Sequence, residues 1–266
     1  MDFGKVVSGL AALGYKRAAA RAKIAHDVVL AAIRSSGMKG FVTIKGGVAM
    51  SGITKAVRRA TMDMDVDFVR HSISREAIEA FVAKLDEASD CSIAIDGKIV
   101  ELRQQEYRGK RVFLRITDEY GYKVLTKVDI GIHAKVEVAQ RELLFDVVTD
   151  ERHVKLLSNS QEQIFVEKLK SLLRLGTLSS RYKDVYDMYY LIGKMNRRRL
   201  GRYFRLYIYQ DKKMRERDSL SIVARLTDVF GDAVFKRQLR NKKFAWLDVS
   251  PPVAMKAILD FIPTVR

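Results

Sequence analysis

The sequence predicts an α/β (α+β) fold, a mixed sheet with flanking helices over residues 1–155, followed by an α-helical half over residues 156–266. Three observations predict it. Short β-branched and alternating runs cluster between residues 41 and 132, and helical spacing resumes beyond about residue 158. All three prolines fall within the last sixteen residues, so nothing interrupts the later helices.

Taken in order, residues 3–36 carry apolar positions at helical spacing through VVSGLAALGY and IAHDVVLAAI. Gly37 and Gly40 bracket a turn, and FVTIK reads as a short strand of β-branched and aromatic residues. SGITKAVRRA is ambiguous and fits one short helix, and MDMDVDFV is a strand. Ser72 or Ser74 caps the next helix, REAIEAFVAKLDEA, because a serine hydroxyl there satisfies a free backbone N–H. SIAI, KIVELRQ, RVFLRIT and KVLTKVDIGI follow as strands, with turns at Asp96-Gly97 and at EYGY. A soft boundary falls near Asp150–Asn159, with no internal repeat and no low-complexity linker.

Bulk properties narrow the function. No apolar run approaches the roughly 18 residues that span a bilayer, so no membrane role is expected. Cys91 is the only cysteine, which excludes an intramolecular disulfide and suits a reducing cytoplasm. Four scattered histidines and one cysteine argue against zinc. A formal charge of +17 favours a polyanionic partner, nucleic acid being the commonest, and an acidic protein would also suit it.

The acidic strand raises the first chemical question. Asp63, Asp65 and Asp67 occupy alternate positions and so share one face, with Met64, Val66 and Phe68 on the other. Crowded like charges call for a cation or a basic partner among them, or for a solvated face. Gly46 and Gly47 follow the preceding strand. Alone the pair reads as a plain turn; beside an acidic strand it also fits backbone amides presented to a phosphate. Amides for a triphosphate and carboxylates for Mg²⁺ are what nucleotidyl transfer requires. Asp129 is the best third carboxylate, because it shares a face with Leu125, Lys127 and Gly131, opposite the apolar side of its strand.

Two helices add charge where apolar residues are expected. In EQIFVEKLKSLLRL, Ile164, Phe165, Val166, Leu169, Leu172, Leu173 and Leu175 form the apolar arc, and Lys168 falls inside it. Glu167, Lys170 and Arg174 fall on the solvent side. An inward lysine snorkels or meets a buried anion, either phosphate or carboxylate. In RYKDVYDMYYLI, Arg181 and Asp184 fall within the apolar stripe, Asp187 at its edge and Lys183 farther out. Residues 194–217 hold ten Lys/Arg against two acids, interleaved with Tyr203, Phe204, Tyr207 and Tyr209. Such a segment either lines a single strand, with bases stacked on the aromatics, or is a helix whose tyrosines pack inward.

KGGVAM, RATMDMDVDF, KVDIGI, EQIFVEKLKSLL and RYKDVYDMYYL, in that order, resemble the motifs of the AbiEii/AbiGii-type nucleotidyltransferases. These are the toxins of AbiE-like, type IV toxin–antitoxin systems, a group that includes the mycobacterial MenT-type toxins. The resemblance runs from about residue 40 to 192. It implies a nucleotidyltransferase fold of the polymerase-β superfamily and transfer of a nucleoside monophosphate from an NTP with Mg²⁺, Mn²⁺ being an alternative. It further implies an antitoxin encoded nearby and, as in some relatives, an RNA acceptor at the 3′ end of tRNA. Carried onto this chain, Gly46 and Gly47 cradle phosphates, Arg59 and Thr61 attend the nucleotide, and Asp63 and Asp65 bind metal. Asp129 is the third metal ligand. Lys168, Arg181 and Lys183 belong to the nucleotide site, with Lys168, Asp184 and Asp187 among the catalytic set. Val48 departs from the family, which commonly has Ser or Thr after the glycines, and removes one hydroxyl from the phosphate contacts. Other readings of the same features are transfer to a small molecule or protein, and a non-catalytic nucleic-acid binder that keeps the fold.

Overall fold

The computed structural model describes residues 1–102, 109–133 and 138–265, and the chain divides into two compact units, Met1–Asn159 and Ser160–Arg266. The first unit opens with α1 (Phe3–Ala12) and α2 (Arg17–Ser35). The helical spacing over residues 3–36 is therefore two helices, broken where Gly14 takes a positive φ of 93° that a side-chain-bearing residue resists. Then come β1 (Val42–Lys45), α3 (Gly46–Thr54), β2 (Asp63–Phe68) and α4 (Arg75–Glu87). Ser74 caps α4, its hydroxyl accepting from the Ala77 amide at 3.2 Å.

Among the described residues six further strands follow: β3 (Ser92–Ile95), β4 (Val100–Leu102), β5 (Gly109–Thr117), β6 (Lys123–Ile132), β7 (Arg141–Asp146) and β8 (His153–Ser158). Arg103 and Gln104, at the end of the predicted KIVELRQ strand, lie outside the described residues. Among the described residues the sheet runs β3-β5-β6-β2-β1-β8-β7, with β4 on β5. It is mixed: β2 lies parallel to β6 and β1 parallel to β8, while β1–β2, β5–β6 and β7–β8 are antiparallel. The sequence pattern predicts neither β7 nor β8. RELLFD and HVKLLS alternate too, but their exposed faces dilute the apolar signal.

One sheet face is apolar. Met64, Val66 and Phe68 of β2 and Val124, Val128 and Ile130 of β6 are buried there, and α2 packs on β6 and β8. Burying each such side chain contributes roughly 1.5–3 kcal/mol. Alternation sends the intervening residues of the same strands, among them Asp63, Asp65, Asp67, Lys127 and Asp129, to the opposite face.

The second unit is helical: α5 (Gln161–Leu175), α6 (Tyr182–Leu191), α7 (Arg197–Phe204), α8 (Ser219–Gly231), α9 (Ala233–Leu239) and α10 (Pro251–Phe261). A π-helical turn, Arg205–Tyr209, continues α7. Its core joins Phe165, Tyr186, Phe204, Leu226, Phe235 and Ile258, all buried. Tyr186 is wholly enclosed, and its hydroxyl donates to the Leu239 carbonyl at 3.2 Å.

Candidate active site

In the first unit the polar sheet face carries a row in which two carboxylates stand between two cations. Arg111 of β5 lies opposite Asp129 of β6, Asp129 opposite Asp65 of β2, and Asp65 opposite Lys45 of β1. Adjacent strands sit about 4.8 Å apart, so Asp65 and Asp129 are immediate neighbours on one face. Asp63 lies one step along, opposite Lys127, and Asp67 one step the other way, opposite Gly131. The neighbour relation that the argument for Asp129 needed is thus supplied by β2–β6 pairing.

Basic side chains thread this cluster. Lys127 Nζ meets Asp63 at 2.9 Å, and Lys45 pairs with Asp67. Arg111 grips Asp129 with two bonds, Nε at 2.8 Å and an Nη at 2.9 Å, which holds its guanidinium above the ordinary pKa. Such a fork is the strong form of a charge-assisted bond. Lys45 and Arg111 escaped sequence reasoning. The usable signal was strand parity: both stand at polar positions in otherwise apolar-alternating strands. The partner strands were unknown, so the parity had nothing to attach to.

The glycine pair is not a turn but the first residues of α3. Gly46 has φ +61°, and a Cβ there would collide with the Asp65 carboxylate. A Cβ on Gly47 would collide with the Thr61 hydroxyl, which itself donates to the Asp63 carbonyl at 3.3 Å. Only glycine lets the start of this helix press against the acidic strand. A helix N-terminus presents unbonded amides and partial positive charge, which suits an anion. Arg59 is buried in the short turn Val57–Arg59, just before this strand.

The donor set fits a hard divalent cation, since Asp63, Asp65 and Asp129 offer carboxylate oxygens from one face. In their present arrangement, with Lys127 and Arg111 on Asp63 and Asp129, no three acidic, histidine or cysteine residues among the described ones form a ready cluster.

In the second unit, Lys168 of α5 is buried as its position in the apolar arc predicts, and its partners are carboxylates. Nζ lies 2.5 Å from Asp184 and 2.9 Å from Asp187, both on α6. Trp246 Nε1 donates to Asp187 at 2.9 Å. Asp187 is fully enclosed rather than at the stripe's edge, because the segment around Trp246 covers that side of α6. Arg181, expected inward, is the residue before α6 with its side chain 61% exposed, 3.9 Å from Asp184. Lys183 is half-buried. Lys170, expected in solvent, is buried and bonded to Asp211 at 2.6 Å. Helical phase alone could not anticipate a partner 41 residues away.

The basic segment resolves into two faces. Leu200, Tyr203, Phe204, Tyr207 and Ile208 are buried, while Arg197, Arg198, Arg202, Arg205, Lys212, Lys213, Arg215 and Arg217 are exposed. Tyr203, Phe204 and Tyr207 therefore serve the core and offer no stacking platform, whereas Tyr209 is half-buried and the cations just named reach solvent.

An acidic pair on adjacent central strands, a glycine-opened helix against it and a helical second unit describe a protein of the nucleotidyl-transfer class. The comparisons supply the family. The family described as nucleotidyl transferase AbiEii toxin, type IV TA system, matches residues 28–249, and the chain belongs to it. It is accordingly a nucleotidyltransferase toxin whose family implies an NTP substrate and an antitoxin partner. Among solved structures it is similar to an antigenic nucleotidyltransferase-like protein from Paracoccidioides brasiliensis, at 15% identity and TM-score 0.44, covering 81% of this chain and 93% of that one. Comparison with curated proteins gave no match. Among the described residues no helix is long and apolar enough to cross a membrane.

Proposed function

We propose that this chain transfers a nucleoside monophosphate from an NTP to an RNA 3′ end, that of tRNA, with Mg²⁺ or Mn²⁺, in the cytoplasm. The observation that carries the reading is the Asp65–Asp129 register pair with Gly46 pressed against Asp65. Asp63, Asp65 and Asp129 would hold the metal, which when bound polarises the attacking and leaving oxygens. Gly46 and Gly47 amides, with Arg59 and Thr61, bind the triphosphate. Asp129 accepts the proton of the attacking 3′-hydroxyl. The new P–O bond forms at the α-phosphorus as pyrophosphate leaves with its electron pair, and lysine and arginine charge offsets the shift. Lys168, Arg181 and Lys183 are assigned to the nucleotide by resemblance, with Asp184 and Asp187 setting the charge around Lys168.

The RNA acceptor is supported by the net charge of +17 and by the exposed cations from Arg197 to Arg217. With Tyr203, Phe204 and Tyr207 buried, recognition would run chiefly through phosphates and depend on salt. The test is incubation with each labelled NTP, Mg²⁺ and total tRNA, comparing wild type with Asp65→Asn. Label that appears only with wild type and vanishes with RNase supports the reading. RNase-resistant label moves the acceptor to protein or small molecule, and equal failure of both proteins refutes catalysis.

A further inference from the structure

Not every side chain on the polar sheet face is charged. β5 and β6 pair without a break from Lys110 opposite Ile130 to Thr117 opposite Lys123. Arg111, Phe113 and Arg115 of β5 therefore share a face with Leu125, Lys127 and Asp129 of β6. Phe113 stands opposite Lys127, which itself stands opposite Asp63, and Leu125 stands opposite Arg115. Phe113 is 39% exposed and Leu125 57%, whereas Val112, Leu114, Val124 and Val128 on the other side of these strands are buried. Phe113 and Leu125 are diagonal neighbours, a separation that an aromatic side chain bridges.

A lone surface leucine is ordinary. Here a ring and a leucine adjoin each other between two cations and beside the carboxylate row. Lys127 bonds Asp63 at 2.9 Å, and Arg115 bonds Asp96 at 3.0 Å with its side chain 43% exposed. A flat apolar spot flanked by cations matches an unpaired base together with its phosphate.

Strand order decides which nucleotide this is. Gly46 and Gly47 open α3 at the end of β1, on one flank of β2, and β6 and β5 lie on the other flank. In phosphoryl transfer the attacking and leaving oxygens lie in line on opposite sides of phosphorus. Pyrophosphate leaving towards the glycines sets the attacking hydroxyl on the β6 side, where Asp129 stands. Phe113 is one strand beyond Asp129 and two residues along from Arg111, so the Phe113 and Asp129 backbones are about 8 Å apart. A nucleotide whose hydroxyl meets Asp129 can lay its own base over Phe113.

We infer that Phe113 and Leu125 form the platform on which the 3′-terminal base of a single-stranded RNA acceptor stacks, with Arg115 meeting its phosphate. The inference rests on the proposed transfer to RNA. Phe113 and Leu125 position the acceptor and move no proton. Every base has a π-face, so the platform selects an unpaired end rather than a sequence.

The test uses a short single-stranded RNA ending in 2-aminopurine on a 3′-deoxyribose, which cannot be extended, titrated into the protein with Mg²⁺. Wild type should quench the probe saturably, and should not quench the same probe at the 5′ end. Phe113→Ala should lose the quenching and raise the acceptor KM about tenfold, with NTP affinity by calorimetry unchanged. Phe113→Trp should restore both. Leu125→Glu, at an exposed position, should lose the quenching independently, so a misfolded Phe113→Ala does not decide the matter. Absence of quenching by wild type, or quenching that survives both Phe113→Ala and Leu125→Glu, overturns the inference. So does NTP affinity that falls with the quenching in both variants, which would give the platform to the transferred nucleotide. Quenching by a wild type that labels no RNA refutes the transfer and leaves the platform standing; labelling without quenching does the reverse.

Discussion

His26 and Asp27, adjacent on α2 and both buried, should pull stability in opposite directions across the same pH window. Burial lowers His26 from 6.5 to about 4 and raises Asp27 from 3.8 to about 6, the Lys23 ammonium only partly offsetting the latter. For His26 the folded value lies below the unfolded one. Its contribution is complete above pH 6.5 and is lost as the pH falls towards 4, by about 3 kcal/mol at 1.36 kcal/mol per pH unit. For Asp27 the folded value lies above the unfolded one. Its contribution is complete below about pH 4 and is lost as the pH rises through 6, again by about 3 kcal/mol. The two nearly cancel in wild type. In His26→Gln only the Asp27 slope remains, so the variant should gain about 3 kcal/mol relative to wild type between pH 6.5 and pH 4. Asp27→Asn should lose a similar amount over that range. Urea-dependent hydrogen exchange in α2 peptides, at pH 4, 5, 6 and 7, measures this for the unit that contains the pair. A variant-minus-wild-type difference that stays constant within about 1 kcal/mol across that range refutes the reasoning.

Three further outcomes follow from the geometry. Lys168→Ala strands two buried carboxylates on α6 and should cost about 3–5 kcal/mol in urea denaturation followed by Trp246 fluorescence. Gly46→Ala forces a side chain into φ +61° and against Asp65; it should lose at least 1–2 kcal/mol, roughly, and abolish NTP binding by calorimetry. Charge reversal at Arg197, Arg198 and Arg202 together should weaken RNA binding uniformly across sequences. It should also reduce the slope of log K against log salt by about one for each phosphate contact removed, while urea denaturation shows an intact core.

The sequence was most informative where a single element decides the matter. The parity of DMDVDF put three carboxylates opposite Met64, Val66 and Phe68, and the structure buries those three as that parity requires. The parity of KVLTKVDIGI placed Val124, Thr126, Val128, Ile130 and Ile132 inward and Asp129 on the opposite face by the same rule; the first four are buried, Ile132 is half-buried, and Asp129 is itself buried beside Arg111. Helical phase put Lys168 in the apolar arc, and its environment is indeed buried and anionic. Phase failed for Lys170 and Asp187, whose burial depends on Asp211 and on the chain around Trp246. Those contacts connect residues far apart in sequence, and no local period encodes them.

What the sequence determined by itself was the faces: alternation and the 3.6-residue period follow from backbone geometry, so each strand and helix announces its own inner side. Motif order likewise resembles that of the family to which the chain belongs. Only the tertiary structure decided which faces meet. Setting β2 beside β6 puts Asp65 next to Asp129, and setting β5 and β1 outside them brings Arg111 and Lys45 into the same row. It also sends Tyr203, Phe204 and Tyr207 into the core and leaves Arg197, Arg198, Arg202 and Arg205 outside. The physical reason is that strand order and helix packing are set by the summed burial of the whole apolar surface, a quantity that no window of sequence contains.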